Sequence, residues 1–342
     1  MYTAWRNKLP GVLLLVGILL FACMFLAGAP AANIPPLPKP SVTSFSPQIS
    51  QVAPATLTLP PSATETATST ATPNSTASST PEKPVVFAVI GDYGSGNPTE
   101  GRVADLVKSW QPDFIITTGD NNYPSGSANT IDATIGQFYH AYISPYHGEF
   151  GKGADQNRFF PSLGNHDWLT NNAAPYLKYF TLPGNERYYD FTWGPLQFFA
   201  LDSDYNEPDG IDRNSDQANW LQKKLAESDA PWKIVYFHTP PYSSGLHGSS
   251  DWMRWPFKDW GVTAVLSGHD HDYERLLIND LVYFVNGLGG GAIYDYHKPI
   301  EGSQVRFNDG YGAMRVEATS HKITFQFIIP SGDVIDTYEI ER

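Results

Sequence analysis

The chain has 342 residues, of which 41% are hydrophobic and 14% aromatic, so it is long enough to bury a sizeable core. Its formal net charge is −13, with the acidic excess lying after residue 84, which argues against nucleic acid as a partner. The single cysteine, Cys23, lies in an apolar N-terminal run, so the rest of the chain excludes disulfides, zinc–cysteine sites and cysteine nucleophiles.

The first predicted element is the uncharged segment GVLLLVGILLFACMFLAGA at residues 11–29, which follows Arg6 and Lys8. Its length is close to the roughly 20 residues that span a bilayer. We therefore expect an exported chain, either secreted or tethered to the outer face of the cell membrane. A signal peptide cleaved at residues 29–31, a lipoprotein signal ending at Cys23 and an uncleaved anchor are all open, and we favour the anchor.

Residues 30–84 form the second predicted segment, and they consist largely of Pro, Thr, Ser and Ala, as in LPPSATETATSTATPNSTASSTPEKP. Such a composition cannot bury a core, so we expect an extended, disordered stalk. Residues 1–29 are then a signal or membrane anchor, and residues 85–342 a single catalytic domain.

After Pro84 the sequence changes to VVFAVIGDYG, an apolar strand followed by a glycine turn. The same pattern recurs in DFIITTGDNNY, RFFPSLGNHD, WKIVYFHTPPY and VTAVLSGHDH. Helical periodicity appears at residues 101–110 and again at 215–228, where Ser215 is a candidate cap. The alternation predicts an α/β fold, and the helix-free C-terminal strands predict antiparallel sheet.

The polar residues at these strand ends are all metal-ligand types or proton carriers: Asp92, Asp120, Tyr123, Asn165, His166, His238, His269 and His271. Each motif alone has an ordinary structural explanation, such as a turn at GD or a buried core histidine. Ligand sites in open α/β sheets lie outside the carboxyl ends of the strands, so we expect these loops to converge. Their convergence would make a site for metal chemistry.

In this order the five motifs resemble those of the metallophosphoesterase (calcineurin-like phosphoesterase) superfamily and, within it, the purple acid phosphatases. The resemblance covers essentially residues 85–342. It implies an α/β fold built as a β-sandwich flanked by helices, in four layers α/β/β/α. It also implies one metal ion bound by Asp92, Tyr123 and His271, a second bound by Asn165, His238 and His269, and Asp120 as the bridge between them.

Tyr123 is the residue that indicates the purple branch. Most metallophosphoesterases have a histidine two residues after the first aspartate, and here that position is Gly94. Carboxylate and phenolate oxygens suit trivalent iron, so Fe(III) is expected at the Asp92/Asp120/Tyr123/His271 site. Imidazoles with an amide oxygen suit divalent Fe, Zn or Mn, expected at the Asp120/Asn165/His238/His269 site.

The resemblance implies hydrolysis of phosphate monoesters by a metal-bound hydroxide, with a small phosphorylated substrate. His166 and His247 would contact the phosphate or protonate the leaving group. A phosphodiesterase or nucleotide pyrophosphatase on the same scaffold is the alternative, followed by a non-catalytic metal- or phosphate-binding surface module. The oligomeric state is open.

Several residues adjoin the predicted ligands without matching ligand positions, and we expect them to orient the ligands or to be solvated: Asp167, Asp270, Asp272 and Tyr273. The run NGLGGGA at residues 286–292 is not followed by a P-loop helix, so it predicts a tight turn beside the cleft. A cluster of aromatic residues is more typical of the hydrophobic core than of the entrance to a substrate-binding cleft: Trp252, Trp255, Phe257 and Trp260.

Overall fold

The computed structural model describes residues 82–342. The predicted anchor at residues 1–29, and the predicted stalk apart from residues 82–84, lie outside the described residues. Within residues 82–342, no helix has the length and apolar character needed to cross a bilayer.

The first of two β-sheets has six strands in the order β13-β12-β11-β1-β2-β3. Its strands are β1 (Val85–Ile90), β2 (Phe114–Thr117), β3 (Phe159–Pro161), β11 (Ala313–Ala318), β12 (Lys322–Ile328) and β13 (Val334–Glu341). Strands β1, β2 and β3 are parallel, whereas β11, β12 and β13 add to the other side of β1 as antiparallel neighbours. The predicted antiparallel arrangement is therefore confirmed for these three C-terminal strands. The strand Leu281–Asn286 belongs to the same predicted series, but it pairs in parallel with one of its two neighbours in the second sheet.

The second sheet has seven strands in the order β10-β8-β9-β7-β6-β5-β4. Its strands are β4 (Tyr189–Trp193), β5 (Leu196–Ala200), β6 (Trp232–Tyr236), β7 (Ala264–Ser267), β8 (Tyr273–Ile278), β9 (Leu281–Asn286) and β10 (Ser303–Phe307). The central strands β5, β6, β7 and β9 are parallel, and the outer ones are antiparallel to their neighbours.

The two sheets pack face to face through aromatic rings. The ring of Phe198 in the second sheet lies 5.1 Å from that of Phe87 and 5.2 Å from that of Phe114, both edge-on. Because side chains alternate along a strand, the neighbouring Phe199 points to the opposite face. There it joins a separate core cluster with Leu221 and Leu225.

Helices cover the outer faces of this sandwich. Helix α1 (Pro98–Ser109) packs against β11, and α5 (Asp216–Glu227) buries its apolar side on the second sheet. The predicted four layers are thus present. The remaining helices are short: α2 (Gln137–Tyr139), α3 (Asn165–Trp168), α4 (Ala174–Tyr179), a π-helix at Asp132–Gly136, and 3-10 turns at His140–Tyr142 and Asp251–Met253.

Side-chain caps fix the starts of both long helices. Ser215 accepts a hydrogen bond from the Ala218 N–H at 3.1 Å, as predicted from the sequence. Helix α1 begins earlier than its apolar periodicity suggested. The reason is that Asn97 caps it, accepting hydrogen bonds from the Thr99 and Glu100 N–H groups at 2.8 and 3.0 Å.

Both ends of the described chain lie at one pole of the sandwich. Val85 at the start of β1 pairs with Ala318, and the turn that follows Ala318 leads into β12. The last strand ends beside that turn, where the Arg342 N–H donates to the carbonyl of His321 at 2.9 Å. The carboxyl end of β1 is at the opposite pole.

Candidate active site

The strands that precede the predicted ligands end at a common edge of the sandwich. Strands β1 and β2 are parallel neighbours in one sheet, and β6 and β7 are parallel neighbours in the other. Asp92 and Asp120 follow the first pair, and His238 and His269 follow the second. The predicted convergence of the strand-end loops is therefore present in the structure.

Three of these residues have left-handed backbone conformations. The φ angles are 54° at Asp92, 53° at Asp120 and 70° at His269. Non-glycine residues rarely adopt such values, and the surrounding structure must hold them there. These turns direct carboxylate and imidazole groups towards the edge where the sheets meet. Backbone strain of this kind concentrates at functional sites.

One group of donor atoms consists of Asp92, Asp120, His271 and Tyr123. Ligand atoms of the two aspartates and His271 all lie within 4.8 Å of one another. The Tyr123 hydroxyl is 3.0 Å from Nε2 of His271 and 3.3 Å from Oδ1 of Asp92. Four residues from three loops thus present oxygen and nitrogen donors to one small volume.

A second group surrounds Nε2 of His238. This atom lies 2.9 Å from Oδ1 of Asn165, 3.1 Å from Nδ1 of His269 and 3.5 Å from Oδ2 of Asp120. Asn165 occupies the first turn of α3 rather than the loop predicted from the sequence. Asp120 is the residue that reaches both groups.

Hydrogen bonds away from the centre orient the imidazoles. Nδ1 of His238 contacts the carbonyl oxygen of Thr118 at 2.9 Å, and Nδ1 of His271 contacts that of Ala292. Each ring therefore presents Nε2 to the centre. This pattern of one nitrogen on a carbonyl and the other facing inward is typical of metal-binding histidines.

The centre concentrates buried negative charge. Asp92 is fully buried and Asp120 nearly so. Within residues 82–342, the cationic side chains in ion-pair contact with either carboxylate are histidines alone, with no lysine or arginine among them. Buried charges need compensation. Two buried carboxylates whose ion-pair partners are histidines, beside phenol and amide donors, are therefore a chemical fit for metal cations.

Burial and neighbouring charges shift the pKa values of the donors in different directions, and the carboxylates raise those of His238 and His271 despite burial. Burial lowers the pKa of His269 to about 2, with His238 and His247 adding to the effect, so this imidazole is neutral as metal ligation requires. Burial alone would raise the pKa of Asp92, but the neighbouring histidines outweigh it and lower the pKa. Burial and then Asp120 and Asp92 raise the pKa of Tyr123 well above its usual value.

The two histidines predicted to act on substrate lie at the margin of these donors. His166 has Nδ1 2.6 Å from the Pro124 carbonyl oxygen and Nε2 3.9 Å from Oδ2 of Asp120. The ring of His247 stacks on that of His269, with centroids 4.4 Å apart. The structure thus brings all nine predicted site residues to one edge.

The residues that adjoin the predicted ligands are buried, so the alternative expectation, that they are solvated, is wrong: Asp167, Asp270, Asp272 and Tyr273.

The glycine run at residues 286–292 packs its backbone on the Asp92 turn. Its Gly291 N–H donates to the Asp92 carbonyl at 2.8 Å, and a Cβ on Gly291 would lie 2.8 Å from Cε1 of His271. In the predicted aromatic cluster, Trp255 and Phe257 are buried core residues, whereas Trp252 and Trp260 are half-buried and pack against that core.

Tyr294 belongs to the site but was not predicted. Its ring stacks on His271 with centroids 4.1 Å apart, and it meets the edge of His247 at 5.4 Å. Tyr294 lies two residues after the glycine run at residues 286–292, and this closeness in sequence is the feature that could have indicated it as a site residue.

Comparison with known proteins assigns the class of this fold and site. A family model described as calcineurin-like phosphoesterase matches residues 79–273, more than half of the chain. The chain therefore belongs to the calcineurin-like phosphoesterase family.

Its relatives within that family include purple acid phosphatases. It is 27% identical to Purple acid phosphatase 17 of Arabidopsis thaliana, across 73% of this chain and 82% of that protein. It is 24% identical to Tartrate-resistant acid phosphatase type 5 of Homo sapiens, across 72% of this chain and 87% of that protein. The chain is thus a purple acid phosphatase-like, metal-dependent phosphoesterase, as predicted from its motifs.

Solved structures share the fold. Purple acid phosphatase PPD1 from yellow lupin has a TM-score of 0.60 at 19% identity, covering 76% of this chain and 54% of that one. GAP50, described as the anchor in the inner membrane complex of Plasmodium, has a TM-score of 0.58 at 22% identity, covering 76% and 89%. The predicted β-sandwich with flanking helices is therefore confirmed.

Proposed function

We propose that this phosphoesterase hydrolyses phosphate monoesters of small phosphorylated substrates at a centre of two metal ions. The observation that carries the proposal is the position of Asp120. Its carboxylate lies within 4.8 Å of ligand atoms on Asp92 and His271, and 3.5 Å from Nε2 of His238 in the other donor group. One carboxylate that reaches two sets of donors is suited to bridge two cations.

The two donor sets differ in chemistry. Asp92, Asp120, Tyr123 and His271 would hold Fe(III), because carboxylate and phenolate oxygens favour a trivalent ion. Asp120, Asn165, His238 and His269 would hold divalent Fe, Zn or Mn. Two such ions, once bound, would lower the pKa of a water molecule and stabilise the negative charge on the oxygens of the reacting phosphate.

His166 and His247 are the residues we assign to the substrate. Since Nδ1 of His166 contacts the Pro124 carbonyl, its Nε2 is the nitrogen that faces the centre. It can donate a hydrogen bond to phosphate or deliver a proton to the leaving oxygen. The ring of His247 stacks on that of His269, a member of the other donor group. Together they would flank a bound phosphate group.

We propose further that residues 85–342 are the catalytic domain and that residues 1–84 export it and attach it to the cell surface. The apolar segment at residues 11–29 and the core-free composition of residues 30–84 support this division.

The test of the binuclear centre is metal analysis of Asp120→Ala beside Asn165→Ala. We expect wild type to bind two metal ions per chain, Asp120→Ala to lose metal from both sites and all activity, and Asn165→Ala to lose metal from one. Two ions retained without Asp120 would contradict the bridging role. Rates of the wild type on a phosphate monoester and a diester, measured side by side, separate the proposed phosphatase from a phosphodiesterase or nucleotide pyrophosphatase.

A further inference from the structure

His247 lies on a loop that depends on other segments for its position. Residues 243–248 contain no helix or strand. Gly248 has a φ of 75°, and a Cβ added there would have no atom within 4 Å, so the side of the backbone that a side chain would occupy is open. A histidine on such a loop needs a fixed point elsewhere if its imidazole is to act at a defined place.

That fixed point is the carboxylate of Asp270. Its Oδ2 accepts a hydrogen bond from the Ser243 hydroxyl at 2.5 Å, and its Oδ1 accepts one from the His247 backbone N–H at 2.6 Å. The Gly248 N–H donates to Oδ2 at 3.2 Å. Asp270 is fully buried, and hydrogen bonds to a buried carboxylate are among the stronger ones in proteins.

The loop approaches Asp270 closely because of a glycine. A Cβ on Gly245 would lie 2.4 Å from Cγ of Asp270 and 2.5 Å from Oδ2 of Asp272. No larger residue could occupy that position without moving one of them. A second carboxylate on the same segment holds the start of the loop, since Glu274 accepts hydrogen bonds from the Ser244 N–H and hydroxyl, both at 2.7 Å.

Asp270 stands between His269 and His271, whose side chains face the donor groups, while its own faces the loop. The same short segment therefore presents imidazoles to the centre and a carboxylate to His247. In turn the His247 ring stacks on His269 at 4.4 Å. His247 itself is joined to the ligand segment in two ways, through its backbone N–H to Asp270 and through its imidazole to His269.

We propose that Asp270 is a positioning residue, which holds the His247 imidazole at the substrate position by fixing residues 243–248 to the segment that bears His269 and His271. The inference rests on the proposed function, because it assigns Asp270 a role through a histidine that acts on substrate. It adds a residue that touches neither substrate nor metal.

The test is a double-mutant cycle on the full chain with p-nitrophenyl phosphate as the substrate. Asp270→Asn keeps the size of the side chain but removes its charge, and we expect kcat/KM to fall by about 10- to 100-fold with both metals retained. In a His247→Ala background the same change should lower kcat/KM by less than about twofold, because residues that act as a unit are not additive. The pH profile of Asp270→Asn should match that of His247→Ala.

Asp132→Asn is the matched control. Asp132 also accepts three hydrogen bonds, from the hydroxyls of Tyr146 and Tyr179 and from the Glu149 N–H, but it lies outside the site. We expect its kcat/KM to stay within about twofold of wild type.

Ser243→Ala extends the test if Asp270→Asn loses metal or fails to fold. It removes one donor to Asp270 without touching the ligand segment, and we expect a fall in kcat/KM of roughly two- to tenfold. That fall should disappear in the His247→Ala background. A loss that persists undiminished without His247, or a His247→Ala variant with full activity, overturns the inference. An inactive wild type with both metals bound would instead overturn the proposed function.

Discussion

Replacing His166 with alanine removes an imidazole whose two nitrogens have different partners. Nδ1 lies 2.6 Å from the Pro124 carbonyl oxygen, so Nε2 is the nitrogen left for substrate. The backbone N–H of residue 166 donates to Oδ1 of Asp120 at 2.9 Å, and alanine keeps this bond. The variant should therefore lose the imidazole while Asp120 retains its backbone donor and both metals stay bound.

We expect kcat/KM of His166→Ala to fall by about 10²- to 10⁴-fold, as for a lost general acid or phosphate contact. At about 1.4 kcal/mol for each factor of ten, this is about 3 to 6 kcal/mol of transition-state stabilisation. The assay is initial rates on p-nitrophenyl phosphate, with metal content measured on the same preparation.

His140→Ala is the matched control for this substitution. Nδ1 of His140 also contacts a backbone carbonyl, that of Gly136 at 2.8 Å, but its ring packs on Tyr146 outside the site. We expect near wild-type rates from it. Loss of metal from His166→Ala, or a rate within about threefold of wild type, would refute the assignment of His166 to the substrate.

Three further predictions concern colour, stability and domain limits. The oxidised, iron-loaded protein should show a visible tyrosinate-to-iron absorption band, and Tyr123→Phe should remove it even where iron is retained. Burial would raise the pKa of Asp132, but hydrogen bonds from Glu149, Tyr179 and Tyr146 lower it. Asp132 therefore stabilises the fold above about pH 4, and this stabilisation is lost as the pH falls further. The decrease in the free energy of unfolding caused by Asp132→Asn, measured by urea denaturation, should therefore become smaller below that pH. A chain beginning at residue 84 should be folded and as active as the full chain.

Each of these has a clear contrary result. A colour unchanged in Tyr123→Phe would show that Tyr123 is not a ligand, and a colourless wild type with full iron would place the protein with the divalent-metal phosphoesterases. A stability difference for Asp132→Asn that grows towards acid would contradict the lowered pKa. An inactive truncated chain would move the domain boundary towards the N-terminus.

The strands and the site could be predicted from the sequence because both depend on local patterns. An apolar, β-branched run ending in glycine specifies a buried strand and the turn that follows it, and the chemistry of Asp92 or His269 is visible in the residue type. The parallel arrangement of such strands then brings their ends together without knowledge of any side-chain contact.

The parts that could not be predicted depend on contacts between distant segments. Asp270 was expected to orient ligands or to be solvated, and only packing of residues 243–248 against it decides that it accepts the His247 N–H. Tyr294 reaches His271 because the glycine run folds back over the Asp92 turn. Neither contact has a spacing or periodicity in the sequence that would reveal it.

Val85 and Arg342 lie at the same pole of the sandwich, and this determines where another molecule can be attached to the catalytic domain. Strand β1 has six residues and rises about 20 Å from Val85 towards the edge that holds Asp92. A resin or a reporter protein joined directly at Val85 or at Arg342 is therefore attached at the pole away from the cleft. Phosphorylated molecules in solution would still reach the donor groups unobstructed, and crowding at the attachment point would leave the entrance open.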